Sequence, residues 1–453
     1  MDQNIQSKFE HHSKKIAADV LRPINLSTSF KAWMGFLILA LAICVYVYII
    51  QLQKGLGVTG MGDFVSWGMY IANFVFFVAC SLIGMLISAV LGLIGYKWIT
   101  PLTRISEIIA IGFAAVAGLV IVSDMGRPDR LPYVFMYARF QSPILWDVSV
   151  VTTYFVVSLL LWFLPLIPDL GISKHHIKHP PVLQKIYKIL SLKWTNSPQQ
   201  NKIIQRSMRL LLILIVPLAF AIHTVTSWLF AVNPRVGWDS TIFGPYFISG
   251  AFVAGIGCVV IAMYFFRNNY RLQEYIQELH FDRMGKLLFL VSIVYLYFNL
   301  NEFLVPAYKL KQADAIHLHE IFSGRFAAMF WLTQILGLVI PMILMLIPRM
   351  RKPLPMMVIS IFVVLGAWFK RYIIVIPPQE HHYLPVKQYV NEKFVYYTPT
   401  IEETAIALGS VILVLIIITL LSKFFPVIPI WETAKERAEE KDTTYTQKNN
   451  ELP

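Results

Sequence analysis

Ionisable side chains that interrupt long apolar runs are the residues most able to do chemistry in this sequence. Asp124 and Arg127 close one such run, and Asp147 lies about one turn into the next. Asp239 precedes a later run, and Asn299, Asn301 and Glu302 lie near the end of another. His317, His319, Glu320 and Arg325 surround the start of the run after that. Lys370 and Arg371 sit more than a turn before the end of the ninth run, and Glu402 and Glu403 open the last. A charge at membrane depth is costly unless it is paired or lines a wet cavity. So many at one depth favour a polar pocket or a docking surface. Snorkelling to the headgroups accounts for Lys and Arg, but it fits short carboxylates such as Asp147 and Glu302 poorly.

Asp124, Asp147 and His223 could accept protons, with Arg127 and Arg371 to hold the carboxylates ionised. His223 is the one histidine inside a span, sharing a helix face with Thr226 and Ser227 at i+3 and i+4. A lone histidine there reads first as a hydrogen-bonded core residue, with a proton relay as the sharper alternative. One such histidine does not hold a transmembrane b-type haem. Glu107, at the opposite depth, is read first as the partner of Arg104 three residues earlier, and second as the inner mouth of a proton path. Cys44, Cys80 and Cys258 lie far apart with no CxxC spacing, so no iron–sulfur cluster, zinc or other metal is expected on this chain alone.

The elements that must position these groups are membrane spans. Of 453 residues 57% are hydrophobic and 14% charged, with a mean hydropathy of +0.61. A soluble globular protein carries about 25% charged residues, so most of this surface faces lipid. Hydropathy predicts an all-α membrane protein with spans at 32–52, 66–95, 104–123, 143–168, 207–230, 241–266, 284–306, 321–348, 354–376 and 400–425. The tails run over 1–31 and 426–453, and the transmembrane domain over 32–425. No cleavable signal peptide is expected, because the first apolar run is a full span.

The formal charge of +13 comes from short loops, which argues against nucleic acid and for contact with anionic lipid. Lys174, Lys178, Lys185, Lys188, Lys193 and Lys202 follow the fourth span; Arg267, Arg271 and Arg283 follow the sixth; Arg349, Arg351 and Lys352 follow the eighth. The positive-inside rule then places both termini in the cytoplasm. The tail from Glu432 reads as a short helix followed by disorder. A G-x-Y-x5-F spacing recurs at Gly68, Tyr70 and Phe76 and at Gly244, Tyr246 and Phe252. If it marks an internal repeat, spans within 66–230 and 241–376 form two four-helix bundles with two flanking helices.

Six segments in order resemble the NrfD/polysulfide-reductase membrane-subunit family. They are Asp124-Met-Gly126-Arg127-Pro128, Ser142-Pro-Ile-Leu-Trp146-Asp147, Leu166-Ile-Pro168-Asp169-Leu170, His223-Thr-Val-Thr-Ser227-Trp228, the stretch from Gly237-Trp238-Asp239 to Pro245-Tyr246-Phe247, and Gly366-Ala-Trp368-Phe-Lys370-Arg371. Within that family the chain most resembles the ten-span subunits of bacterial alternative complex III. The resemblance implies no redox cofactor on this chain. It also implies a quinol, menaquinol by expectation, near the outer face of the bacterial inner membrane. Implied partners are a paralogous ten-span subunit and a periplasmic iron–sulfur subunit, with the haem and clusters on the partners. The quinol-binding paralogue carries His at the position of Asp124 and Asp at that of Leu229, whereas Asp147 matches. These departures favour the second, ActF-like copy, whose implied role is support of the complex and proton conduction. Asp124, Asp147, His223, Glu302, Arg371, Arg127, Asp239 and Glu107 are therefore the candidates for a quinol pocket or proton relay. A secondary transporter and a plain membrane anchor are the competing readings.

Overall fold

The computed structural model describes residues 3–24, 27–94, 97–174, 181–381 and 396–438. Ten helices are long and apolar enough to cross a bilayer. In order they are Thr28–Lys54, Met69–Ile94, Thr100–Asp124, Pro143–Ser173, Pro198–Ala231, Phe243–Asn269, Glu278–Lys309, Ala327–Leu346, Pro353–Val375 and Ile401–Phe424. They are called spans one to ten below. No β-strand occurs among the described residues. An even number of crossings puts the start of span one and the end of span ten on one side, here the terminal face; the other is the far face.

The second and sixth spans occupy the centre and pack on each other. Span two also packs on spans three and five, and span six on spans seven and nine. Spans one and ten pair, and span ten lies against span three. The outermost first span buries few residues, whereas span six is sheathed by protein. Cys80 and Cys258 are free thiols 3.5 Å apart where spans two and six cross.

Hydropathy places the eighth span over 321–348, but the helix covers Ala327–Leu346 and is preceded by a separate helix, Gln312–Phe322. Within span eight, Ile335–Val339 adopts a π-helical turn. Such turns insert a residue and shift the helical register. There Gly337 meets Gly366 of span nine: a Cβ on either would lie 2.7 or 2.5 Å from the other's Cα.

The short helix expected after span ten is present, but both tails bury apolar residues where they are described. Gln3–Val20 is a helix whose Phe9, Ile16, Ala17 and Val20 join the main core. Residues 430–438 are helical and bury Ile430, Trp431, Ala434 and Ala438. Lys15 and Arg437 both hydrogen-bond Glu274 in the loop between spans six and seven. These cations hold the Glu274 carboxyl below its ordinary value, Lys15 chiefly. The expected disorder beyond residue 438 lies outside the described residues.

Candidate functional site

Three groups of buried polar side chains lie in the spans, and they divide the residues singled out from the sequence. The first sits between spans four and five. Asp147 is 2% exposed and accepts a hydrogen bond of 2.5 Å from Thr226 Oγ1. His223, one turn before Thr226, is also buried, and its Nε2 has no hydrogen-bond partner among the described residues. The expected hydrogen-bonded core histidine is therefore buried but unsatisfied at this atom.

Directly above this pair, towards the far face, opens a cleft of about 300 Å3. Its walls include Ser66, Trp67, Pro143, Ile144, Leu229, Val232, Asn233, Arg235, Trp238 and Gln379. Pro143 and Ile144 precede Asp147 by four and three residues, and Leu229 follows Thr226 by three. Helical spacing puts those residues on one face, so the Asp147–Thr226 pair lies one turn beneath the cleft. Trp67 is anchored to Gln379, which accepts from the Trp67 amide at 3.0 Å and donates to its carbonyl at 2.8 Å. Trp238 donates to the Ile374 carbonyl at 2.6 Å and carries Arg235 over its ring at 5.7 Å. The cleft is thus lined by two hydrogen-bonded tryptophans together with polar side chains.

The second group lies among spans six to nine. Glu302 forms a 2.7 Å ion pair with Lys370, whose ammonium also sits 4.4 Å from the Phe303 ring centroid. The side chains of Lys370 and Glu302 are 2% and 11% exposed, so neither reaches the headgroups. Tyr246 donates to Asn299 Oδ1 at 3.1 Å, and Asn299 donates to Gln334. Arg371 is 2% exposed, lies over the Phe247 ring at 5.1 Å and forms no ion pair among the described residues.

The third group is on the terminal side. Arg104 pairs with Asp169 at 3.0 Å, both side chains 1% exposed, and Glu107 lies 3.8 Å from Arg104. Glu107 does neighbour Arg104, as its spacing suggests, but the shorter partner is Asp169, 65 residues away. Asp169 also accepts from the amides of Ile430 and Trp431 at 3.0 and 2.8 Å. It thereby caps the C-terminal helix at the end where helix amides lack partners.

Two expectations about this arrangement are corrected. Arg127 does not hold Asp124 or Asp147. It is exposed and pairs with Asp129 at 3.0 Å, because the loop Pro128–Arg130 places that carboxylate two residues away. The hydrogen bond from Arg127 holds the Asp129 carboxyl below its ordinary value. Nor does Arg371 pair with either carboxylate; its position on span nine leaves it within the second group. Asp124 stands apart from Asp147 as well. Its electrostatic neighbours are Tyr70 and Glu403, on the side of the tenth span. Asp239 is exposed at the approach to span six.

Sequence reasoning missed the clamp around Glu403, which is fully buried. It accepts from the amides of Met69 and Gly60 and from the Tyr397 hydroxyl. A Cβ on Gly68 would meet Glu403 Oε1 at 2.6 Å. That contact explains the first glycine of the repeated spacing, whereas Gly244 has ordinary room. The two tyrosines are more alike: Tyr70 donates to Gln51 as Tyr246 does to Asn299. A glycine before a tightly packed helix start was the available signal for Glu403.

The family whose description is "Polysulphide reductase, NrfD" matches residues 57–381, which takes in spans two to nine and all three groups. The chain belongs to the NrfD family. Among the relatives of this NrfD chain is a provisionally named dimethyl sulfoxide reductase membrane subunit of Halobacterium salinarum. It is 29% identical over 345 residues, 73% of each chain. A selenate reductase subunit of Mesobacillus selenatarsenatis is 25% identical, over 85% of this chain and 91% of the relative. The Hdr-like menaquinol oxidoreductase integral membrane subunit of Archaeoglobus fulgidus is 24% identical, over 87% and 93%. The NrfD chain is thus a multi-pass membrane protein whose relatives are named as reductase or oxidoreductase subunits. Among its described residues no cluster of His, Cys, Asp or Glu is arranged to hold a metal.

Proposed function

We propose that this NrfD chain is the quinone-contacting membrane subunit of a respiratory oxidoreductase complex. The cleft above Asp147 carries the reading. Its volume of about 300 Å3 falls within the range of small-molecule sites, on the order of 300–1,000 Å3. A flat ring fits between Trp67 and Trp238 on one side and Pro143, Ile144 and Leu229 on the other. Ser66, Asn233 and Arg235 supply polar atoms for two ring oxygens. A menaquinone is the expected ligand, in keeping with the relative named for menaquinol. When bound, the quinol supplies two electrons and two protons. This chain would orient the ring, exclude water from its apolar side and take a proton towards Asp147 through the Thr226 hydroxyl. The electrons would pass to clusters and haem on partner subunits, in an assembly like alternative complex III. The far face would then be periplasmic and both termini cytoplasmic, in a bacterial inner membrane.

Leu229 favours a second reading. It puts an apolar side chain in the cleft wall, and Asp124 lies outside the cleft. On this reading the chain is the supporting copy beside a paralogue that oxidises quinol, and Asp147, His223 and Glu107 serve proton conduction. Photoaffinity labelling of the intact complex with an azidoquinone separates the two. Label on peptides containing Ser66–Trp67 or Leu229–Trp238 supports quinone contact; label confined to other subunits overturns it. Asp147→Asn should then lower quinol-dependent turnover by roughly 100-fold or more, the scale of general acid–base effects. The transporter reading finds no support in the family.

A further inference from the structure

Arg371 and the cavity beside it call for an explanation that the quinone cleft does not give. The guanidinium is buried among spans six to nine, and its Nε and Nη1 have no hydrogen-bond partner among the described residues. Thr333 Oγ1, buried on span eight, is unpartnered too. Both residues line one small cavity, together with Lys370, Gln334 and the glycines 250, 337 and 366.

The charges do not balance. Lys370 is matched by Glu302 at 2.7 Å. Arg371 forms no ion pair among the described residues and lies over the Phe247 ring. A buried lysine or glutamate can neutralise itself by losing or gaining a proton. A guanidinium cannot, because its pKa stays above about 12. Water would satisfy its hydrogen bonds but would leave the net charge in a low-dielectric interior.

The cavity's size selects the occupant. At about 20 Å3 it exceeds the roughly 10–15 Å3 that one water needs, yet it excludes a quinone ring or a lipid phosphate. Glycine keeps it open, since a Cβ on Gly250 would lie 2.7 Å from Arg371 Nη2. Gln334 already accepts from Asn299 through Oε1, which leaves its amide nitrogen as a donor. The π-helical turn begins one residue later. Apart from backbone carbonyls and the Tyr295 hydroxyl, which is engaged with Tyr246, the polar side chains around the cavity can therefore donate.

We propose that this cavity binds a small monovalent anion of the chloride class, held by Arg371, Thr333 and Gln334 as the missing counter-charge. The inference is independent of the quinone reading, because its ligand set shares no residue with the cleft. The test uses the purified complex in gluconate buffer of constant ionic strength, titrated with chloride or bromide while thermal unfolding is followed. Halide should raise the unfolding temperature saturably, and sulfate should not. A bromide-loaded crystal should give an anomalous peak between Arg371 and Thr333. Thr333→Val should raise the half-saturating halide concentration about tenfold, the change expected from losing one buried hydrogen bond. Gly250→Ala should abolish the halide response. Identical unfolding in halide and gluconate would overturn the proposal. So would a halide response unchanged in both variants, or an anomalous peak elsewhere.

Discussion

Replacing Asp169 tests whether the terminal-side cluster stabilises the chain as its geometry implies. Its carboxylate faces Arg104 at 3.0 Å and caps two amides, with both side chains 1% exposed. Breaking a buried pair by removing one partner costs about 3–5 kcal/mol. Here the lower end applies, because Glu107 remains 3.8 Å from Arg104. Orphaning buried amide donors adds about 1–3 kcal/mol. Asp169→Ala should therefore destabilise by roughly 4–6 kcal/mol. Asp169→Asn keeps an acceptor for the amides and should lose about 3 kcal/mol. Arg104→Met on the Asn background removes a cation already deprived of Asp169 and should cost less than it does in the parent, a measurable coupling. Tryptophan fluorescence during denaturant unfolding of the detergent-solubilised chain reads all three. The reasoning fails if Asp169→Asn stays within about 0.5 kcal/mol of the parent, or if the double substitution loses the sum of the single ones.

Further outcomes follow from the other groups. Glu302→Gln leaves Lys370 unpaired at 1% exposure and should cost about 3–5 kcal/mol, read by the same unfolding assay. Gly366→Ala puts a methyl 2.5 Å from the Gly337 Cα and should cost about 1–3 kcal/mol by forcing spans eight and nine apart. Arg127→Ala should leave thermal stability unchanged, since its pair with Asp129 is exposed. His317, on the helix before span eight, is pushed down to about 3 by burial, with His381 and Lys370 adding to it. The unfolded chain then takes up this proton first. Stability should fall as pH drops below about 6.5, by up to about 1.4 kcal/mol per unit, levelling near pH 3. A His317→Phe variant should lack that slope.

The spans were legible in the sequence because apolar runs of bilayer length admit little besides helices. The acids Asp147 and Glu302 were legible as inward-facing for a similar reason: short carboxylates cannot snorkel. Their partners were not. Thr226 lies 79 residues from Asp147, and Lys370 lies 68 from Glu302, so nothing local links them. Arg127 shows the opposite case. Its partner Asp129 is two residues away, but both lie in an exposed loop, where burial does not press a cation towards the acids of the spans. The short helix after span ten was legible, but the burial of both tails was not, because amphipathic helices with few apolar residues look like solvated extensions. Trp431 and Ala434 are buried in the core, and Asp169, far away in sequence, caps the start of their helix.

That capping contact has a consequence for how the chain is made. Asp169 and Arg104 enter the bilayer when the fourth span is laid down, long before the amides of Ile430 and Trp431 exist. Until those amides exist, the groups at hand are the two ions themselves, Glu107 and the Trp162 carbonyl that accepts from Arg104. The segment after the tenth span then folds back onto a site laid down some 261 residues earlier. A chain cut short after the tenth span would therefore carry its crossings while Asp169 lacked the two amides that donate to it.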